Sequence, residues 1–263
     1  RPMANVLILD GDSAIGRALC DFLRIFHDVT VTTRRDCSPT NETVLFLNAF
    51  EPELANIDFN QFDIIINLIA NSKFEDCYKN PLQARKLNID FPLHIARSIS
   101  DTTRFIQFST SAVLACETPF QPAYDRSLPR SEYGQQKREA EDGLLSEKGE
   151  ILRISKVLQP TDILGQMLNK LKQSQPVEVF HDLYFCPLTP DNVMHAVKLV
   201  IDEGHSQIYQ LSGDQDLSYE EALRLIATNN GCDQSLIIPS SCYDYVYSDH
   251  VLRYTSLQLT DIF

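Results

Sequence analysis

NVLILDGDSAIGRAL, residues 5–19, joins an apolar run to a polar turn and then to the start of a helix. An uninterrupted apolar run such as 5–9 is typical of a strand buried on both faces of a parallel sheet. Apolar residues at helical spacing continue to Phe26, which predicts a strand, a turn and a helix in succession. Nucleotide-binding folds begin with these three elements.

The same alternation continues along the chain. We predict further strands at 29–33, 43–47, 63–70, 104–109 and 150–155, with helices between them that include 81–100 and 131–148. Alternating strands and helices indicate an α/β fold, here a Rossmann-type doubly wound parallel sheet. Ligands of such folds bind at the carboxyl ends of the strands.

The pattern changes after Ser155. Short strands at 177–180 and 207–211 are mixed with helices that begin at a Thr189-Pro190 cap and at a capping box, Ser218 to Glu221. We expect 1–157 to form a dinucleotide-binding Rossmann domain. Residues 158–263 should form mainly a small, interleaved C-terminal substrate-binding lobe, with about 177–212 returning to the Rossmann sheet.

Composition limits the possible partners. The chain has 263 residues, a formal net charge of −13 and a pI near 4.8, which argues against nucleic acid as a partner. No apolar run is long enough to cross a bilayer and no signal-peptide pattern is present, so we expect no membrane association. Seven cysteines without a C-x-x-C pair and six scattered histidines favour a cytoplasmic protein without a metal site.

The first turn can be aligned with the dinucleotide fingerprint G-x-x-G-x-x-G, but it retains only the third glycine, Gly16. Asp10 and Ser13 replace the other two, and the Asp10 carboxylate would repel a diphosphate. An alternative alignment uses Gly11 and Gly16 as flexible points, with the amides of Asp12 and Ser13 facing the phosphates. The residues of this turn that we expect to contact a cofactor are Gly11, Asp12, Ser13, Ile15 and Gly16.

The end of the second predicted strand carries Arg34 and Arg35 and no acidic residue. A guanidinium can bind a 2′-phosphate through two hydrogen bonds, whereas NAD-specific sites place a carboxylate on the ribose at this position. If a dinucleotide binds, these residues therefore favour NADP over NAD.

Tyr133 and Lys137 are four residues apart and should share one face of a helix. An adjacent ammonium favours the phenolate, so we expect Lys137 to lower the pKa of Tyr133. Thr110 lies upstream at a hydroxyl-rich strand end, and these three residues are a candidate group for protonating a carbonyl.

These residues together resemble the extended short-chain dehydrogenase/reductase superfamily, and within it the dTDP-4-dehydrorhamnose reductase branch. The likeness extends over most of the chain, from the strand that ends at Ala70 through Asn88 and the Tyr133 helix to Arg253-Tyr-Thr-Ser256. It implies catalytic roles for Thr110, Tyr133 and Lys137, with Ala70 and Lys137 beside the nicotinamide. It also implies a possible homodimer.

The resemblance implies an NADP-dependent reductase that acts on a keto group of a nucleotide-linked deoxysugar. Two alternatives stay open. One is a sugar-nucleotide epimerase or dehydratase. The other is a catalytically silent Rossmann subunit that binds a nucleotide or a partner protein, and it is suggested by Asp10, which replaces a glycine of the fingerprint.

Overall fold

The predicted apolar runs form the strands of a parallel sheet. The computed structural model describes residues 3–35 and 43–263. Its strands, in chain order, are β1 (Asn5–Leu9), β2 (Asp28–Thr33), β3 (Val44–Phe46), β4 (Ile64–Asn67), β5 (Arg104–Thr110), β6 (Glu150–Ile154), β7 (Lys156–Val157), β8 (Val177–Phe180), β9 (Tyr184–Phe185), β10 (Pro187–Leu188), β11 (Ile208–Leu211), β12 (Leu217–Ser218) and β13 (Ile237–Ser240).

Helices alternate with these strands. In chain order they are α1 (Ala14–Leu23), α2 (Phe74–Lys79), α3 (Pro81–Arg85), α4 (Phe91–Ser98), α5 (Glu132–Ser146), α6 (Ile163–Lys172), α7 (Pro190–Glu203) and α8 (Tyr219–Asn229). Within the described ranges, seven parallel strands form one sheet in the order β11-β6-β5-β4-β1-β2-β3. The strand order reverses between β1 and β4, so the predicted Rossmann-type α/β fold is confirmed.

Strand β1 shows why its sequence is apolar throughout. Val6 and Ile8 pack on one face of the sheet, in a cluster with residues of α1 and α7. Leu7 and Leu9 pack on the other face, with residues of α4 and β5. Successive side chains of a strand point to opposite faces, so in a strand covered on both sides every side chain is buried and apolar residues are favoured throughout.

The helix predicted at 81–100 is not continuous. It ends at Ser98, and a π-helical turn, Lys86–Asp90, separates α3 from α4. Asn88 lies in that turn and is buried, with its amide group bonded to Gln136 of α5 at 3.0 Å and to the Asn71 backbone. The turn therefore aims one polar side chain at the helix that carries Tyr133, a placement often found at functional sites.

The helix caps agree closely with the sequence. Ser131 caps α5, Thr189 caps α7 with Pro190 at its first position, and the predicted box between Ser218 and Glu221 begins α8. Helix α5 ends at Ser146, two residues before the predicted end, because Lys148 has φ +60° and the backbone turns there.

The C-terminal third of the chain contributes to more than one layer. Strand β11 extends the main sheet beside β6, whereas β8 pairs with β13 and packs with α6 and α8 in a separate apolar cluster. The end of the chain returns to the main sheet, where the Thr260 amide bonds the Gln210 carbonyl. Among the described residues, every helix is too short or too polar to span a membrane.

Candidate active site

A cleft of about 640 Å³ lies at the carboxyl ends of β1, β4, β5 and β6. Residues of the main sheet and its helices form one wall. They include Asp10, Ser13, Ile15, Ala70, Thr110, Tyr133 and Lys137. Residues that follow β6 form the other wall. They include Lys156, Leu183, Tyr184, Phe185, Tyr219, His250, Leu252 and Thr255.

The start of α5 brings Tyr133 to the end of β5. The helix can approach this closely because position 134 is a glycine, at which a Cβ atom would lie 2.1 Å from the Ala112 carbonyl oxygen. The Tyr133 side chain then lines the cleft beside Thr110, which acts to lower the pKa of the phenol. Lys137, one turn along α5, lines the same cleft, so the structure brings all three predicted side chains together.

Burial dominates the electrostatics of this trio. The side chains of Tyr133 and Lys137 are buried, and loss of solvation raises the pKa of the Tyr133 phenol well above its usual range. The same cause lowers the pKa of Lys137 to about 8, although the Glu141 carboxylate acts in the opposite direction. The expected lowering of the Tyr133 pKa is therefore wrong for the protein alone, because desolvation raises that pKa and Lys137 is not among the groups that shift it.

A backbone carbonyl of β5 fixes the position of the Lys137 ammonium. Lys137 Nζ donates to the Phe108 carbonyl at 2.8 Å. Glu141, one turn further along α5, accepts a hydrogen bond from Ser109 Oγ at 2.5 Å and pairs with Arg153 at 2.6 Å, with both charged side chains buried. This network was not predicted from the sequence, although the four-residue spacing from Lys137 to Glu141 is a signal for it.

The first turn is tight although its sequence lacks two of the three fingerprint glycines. Asp10 has φ +81°, a left-handed conformation that aspartate tolerates better than most residues. A Cβ atom on Gly16 would lie 2.0 Å from the Asp10 carbonyl oxygen, so only glycine allows this contact of helix and turn. Ser13 caps α1 through the Gly16 amide. Asp10, Ser13 and Ile15 line the cleft.

Other predicted cofactor residues lie outside the cleft lining. Gly11 packs against β2, where an added Cβ would lie 2.6 Å from Val31 Cβ, and Gly16 is buried beneath Asp10. Arg34 and Arg35 are exposed beyond the end of β2. These four residues and Asp12 are not among the residues that line the cleft.

Asp12 changes the chemistry expected at the end of β2. Its carboxylate accepts hydrogen bonds from Thr33 Oγ1 at 2.9 Å and from the Arg34 amide at 3.2 Å. We expected no acidic group at this position, because the strand end 32–35 contains none. That expectation is wrong for the folded chain, because the turn between β1 and α1 places the Asp12 carboxylate at the end of β2.

The far wall was not predicted in detail. Segment 183–185 carries no recognisable motif, yet Leu183, Tyr184 and Phe185 all line the cleft. His250, which the sequence placed among scattered histidines, packs its ring 5.6 Å from Phe74, whose own ring is 5.1 Å from Tyr133. Burial lowers the pKa of His250. No periodic pattern in the sequence marks this wall, because irregular loops supply most of it.

Comparison with known proteins finds a matching family model and solved structures with a similar fold. The family model described as RmlD substrate binding domain matches residues 4–262. A dTDP-4-dehydrorhamnose reductase ortholog from Clostridium acetobutylicum has 22% identity and a TM-score of 0.78, covering 96% of this chain and 89% of that one. A search of curated proteins finds no match.

Two further solved structures are similar. The dTDP-4-dehydrorhamnose reductase from Bacillus anthracis, in complex with NADP, has 17% identity and a TM-score of 0.81, covering 99% of this chain and 91% of that one. The UDP-glucose 4-epimerase from Thermotoga maritima, with UDP-glucose, has 18% identity and a TM-score of 0.80, covering 97% and 90%. At such identities the likeness is one of fold.

Proposed function

The chain belongs to the RmlD substrate binding domain family, within the extended short-chain dehydrogenase/reductases, and from this premise we propose that it reduces a keto group of a nucleotide-linked deoxysugar with NADPH. The observation that carries the proposal is the meeting of Thr110, Tyr133 and Lys137 at one cleft. The predicted superfamily and branch are confirmed by the family match.

The residues around the first turn fit a nicotinamide dinucleotide. Gly16 leaves room where a Cβ would collide with the turn, and the N-terminus of α1 faces the cleft through Ser13 and Ile15. In our proposal these residues hold the diphosphate, and Ala70 and Lys137 lie beside the nicotinamide half. When bound, the reduced nicotinamide supplies a hydride. Asp10 is the one lining group of the turn with an unfavourable charge.

The protonation state of Tyr133 suits reduction. Because burial raises its pKa, the phenol holds its proton at neutral pH and can donate it from Oη to a carbonyl oxygen. Lys137 contributes a positive charge that stabilises the phenolate left behind, and Thr110 Oγ1 orients the carbonyl by a hydrogen bond. A residue that acts as an acid must hold its proton at the working pH, and the Lys137 charge offsets the weak acidity that a raised pKa brings.

The preference for NADP is part of the proposal. Arg34 and Arg35 are exposed guanidinium groups beyond β2, free to approach a 2′-phosphate, and the Asp12 carboxylate nearby is already bonded to Thr33 and the Arg34 amide. A comparison of dissociation constants for NADPH and NADH tests it. Equal or tighter binding of NADH would contradict the preference.

Tyr133→Phe tests the catalytic proposal. We expect the rate of NADPH oxidation with dTDP-4-dehydrorhamnose to fall by on the order of a thousandfold, because general acid catalysis contributes 10² to 10⁴. The dissociation constant for NADPH should change little, since the ring is retained. A variant that keeps the full rate would remove Tyr133 from the reaction.

Asp10 favours one alternative function, a silent Rossmann subunit, because its carboxylate lines the cleft where a diphosphate would lie. Titration with NADPH, followed by nicotinamide fluorescence, separates the two functions. Absence of binding at millimolar cofactor would favour the silent subunit.

A further inference from the structure

Lys137 and Glu141 of helix α5 contact two consecutive residues at the end of β5. Lys137 Nζ donates to the Phe108 carbonyl at 2.8 Å, and Ser109 Oγ donates to the Glu141 carboxylate at 2.5 Å. Because the two charged residues are four apart on α5, they lie on the same face of the helix. Two polar contacts one turn apart therefore fix α5 on the end of β5.

Arg153 holds the Glu141 carboxylate from the neighbouring strand. It is the register partner of Ser109 in the pairing of β5 with β6, so both residues reach the same carboxylate. Arg153 donates to Glu141 from Nε at 3.0 Å and from Nη2 at 2.6 Å. Its Nη1 donates to the Ala123 carbonyl at 2.7 Å and to Gln210 Oε1 at 3.0 Å. These contacts hold the carboxylate in one position relative to α5, β5 and β6.

Stability alone does not account for this buried pair. Removing two charges from water costs free energy, and apolar side chains of similar volume are often as stabilising or more so. What distinguishes the pair is its position, one turn beyond Lys137 and beside the strand that ends at Thr110. A carboxylate so close to an ammonium attracts it strongly, because the buried surroundings of both groups screen charge weakly.

We propose that Glu141, held by Arg153 and Ser109, is a positioning residue for Lys137, and that its carboxylate keeps the buried ammonium charged and hydrogen-bonded to the Phe108 carbonyl. This inference rests on the proposed function, in which that ammonium stabilises a phenolate. Glu141 is not among the residues that line the cleft, so it acts through Lys137. Arg153 in turn keeps the carboxylate ionised.

The charge state of Lys137 depends on a balance of two effects. Burial lowers the pKa of Lys137 to about 8, and the Glu141 carboxylate opposes this effect. Without Glu141 we expect the ammonium to lose its proton at a lower pH. Other charged and titratable groups lie in the cleft or beside these residues, namely Asp10 in the first turn, Cys77 on α2, Tyr133 on α5, Arg153 on β6, Lys156 after β6, and His250.

The pH profile of turnover separates this role from a structural one. Glu141→Gln removes the charge and keeps the shape. Glu141→Leu combined with Arg153→Met removes the whole pair, and replacements of this kind commonly leave a folded protein. Glu139→Gln, on the exposed side of α5, is the matched control for the change in net charge. The kcat for NADPH oxidation with dTDP-4-dehydrorhamnose is measured from about pH 5.5 to 9.5.

We expect the alkaline limb of kcat to move to lower pH by about one unit or more when Glu141 is replaced, alone or together with Arg153. At pH 8, kcat should fall by about fivefold or more, because less of Lys137 is charged. At pH 6 the ammonium still forms, so kcat should fall by less than about twofold. Glu139→Gln should behave as wild type at every pH.

Unfolding in urea gives a second measurement that needs no substrate. The free energy of unfolding is compared with and without Lys137→Met as a function of pH, in the wild-type chain and in both Glu141 variants. In the wild-type chain the contribution of Lys137 should rise as the pH rises above about 8, because the unfolded chain then binds more protons than the folded one. Without Glu141 this rise should begin about one pH unit lower.

Two results would overturn the inference. An alkaline limb of kcat that stays in place when Glu141 is replaced, with kcat lowered equally at pH 6 and pH 8 or not at all, leaves the pair only a structural role. The same onset of the Lys137 contribution to unfolding, with and without Glu141, removes the effect of the carboxylate on the ammonium. If the wild-type chain oxidises no NADPH with this substrate, the proposed function fails instead, and the unfolding measurement still decides the role of Glu141.

Discussion

At the scale of single residues, Lys137 shows what the sequence could and could not predict. Its spacing from Tyr133 predicted that both side chains face one site, and both line the cleft. The direction of the Tyr133 pKa shift was not predictable, because it depends on burial, which loops distant in sequence complete. Patterns of spacing fix which residues meet, whereas the medium around them is a property of the folded chain.

Lys137→Met should make the protein more stable and less active. The pKa of Lys137 falls to about 8 on folding, so keeping this ammonium charged in the interior costs about 3 kcal/mol at pH 7. Methionine preserves the apolar stem, and the Phe108 carbonyl keeps its hydrogen bond from Gln107 Nε2. We expect the free energy of unfolding in urea to rise by roughly 1–3 kcal/mol while turnover is lost.

The contribution of Lys137 to stability depends on pH. Between pH 8 and 10 the unfolded chain binds more protons than the folded one, since the folded pKa is near 8. Wild-type stability should therefore gain from Lys137 as the pH rises through this window, whereas activity falls as the ammonium is lost. Lys137→Met should lack this gain, and an identical pH dependence in both proteins would contradict the buried ammonium.

At the scale of elements, propensity and capping located most helices, but not the π-helical turn between α3 and α4. The caps are local in sequence, so Ser131, Thr189 and Ser218 could be recognised as helix starts. The turn depends on partners of Asn88 that are 17 and 48 residues away, Asn71 and Gln136. A one-dimensional pattern does not contain such contacts.

Gly134→Ala should separate α5 from β5. The added Cβ would lie 2.1 Å from the Ala112 carbonyl oxygen, which belongs to the backbone and cannot rotate away. The helix must then shift, with a loss of stability of about 1–3 kcal/mol, and Tyr133 must move away from the end of β5. Denaturation and turnover measurements would both report the shift.

Gly143→Ala is the matched control in the same helix. Its Cβ would meet the Leu93 side chain at 2.7 Å, and that side chain is half-buried and can change rotamer. Alanine also raises helix propensity by up to about 1 kcal/mol. We expect near-neutral stability and full activity, and equal damage by both substitutions would contradict the role of the close approach at position 134.

At the scale of the whole molecule, the far wall of the cleft is connected to the main sheet through the end of the chain. Asp216 accepts hydrogen bonds from the amides of Thr255 and Ser256 and from Ser256 Oγ. Ser256 in turn bonds the Phe120 amide in the loop that follows β5. The sequence predicted a small, interleaved lobe at this end of the chain, but not these contacts, because long-range hydrogen bonds leave no periodic signal.

Asp216→Ala should loosen the cleft without altering the first turn. Three hydrogen bonds to a carboxylate are lost, so we expect a decrease in stability of roughly 2–4 kcal/mol and a rise in KM for the sugar nucleotide. Cofactor affinity should change little. Asp214→Ala, two residues away and exposed, is the control. A KM unchanged by Asp216→Ala would show that Thr255 and Leu252 do not depend on this anchor.

The ion pair between Glu141 and Arg153 is where a search for a heat-resistant form of this enzyme would naturally begin. Replacing a buried pair by apolar side chains is often neutral or stabilising, and this pair is 1% and 2% exposed. Its carboxylate, however, also receives the Ser109 hydroxyl and lies one turn beyond Lys137. A more heat-stable protein obtained by replacing this pair would be a poorer catalyst, so selection for thermal tolerance alone would lower the activity.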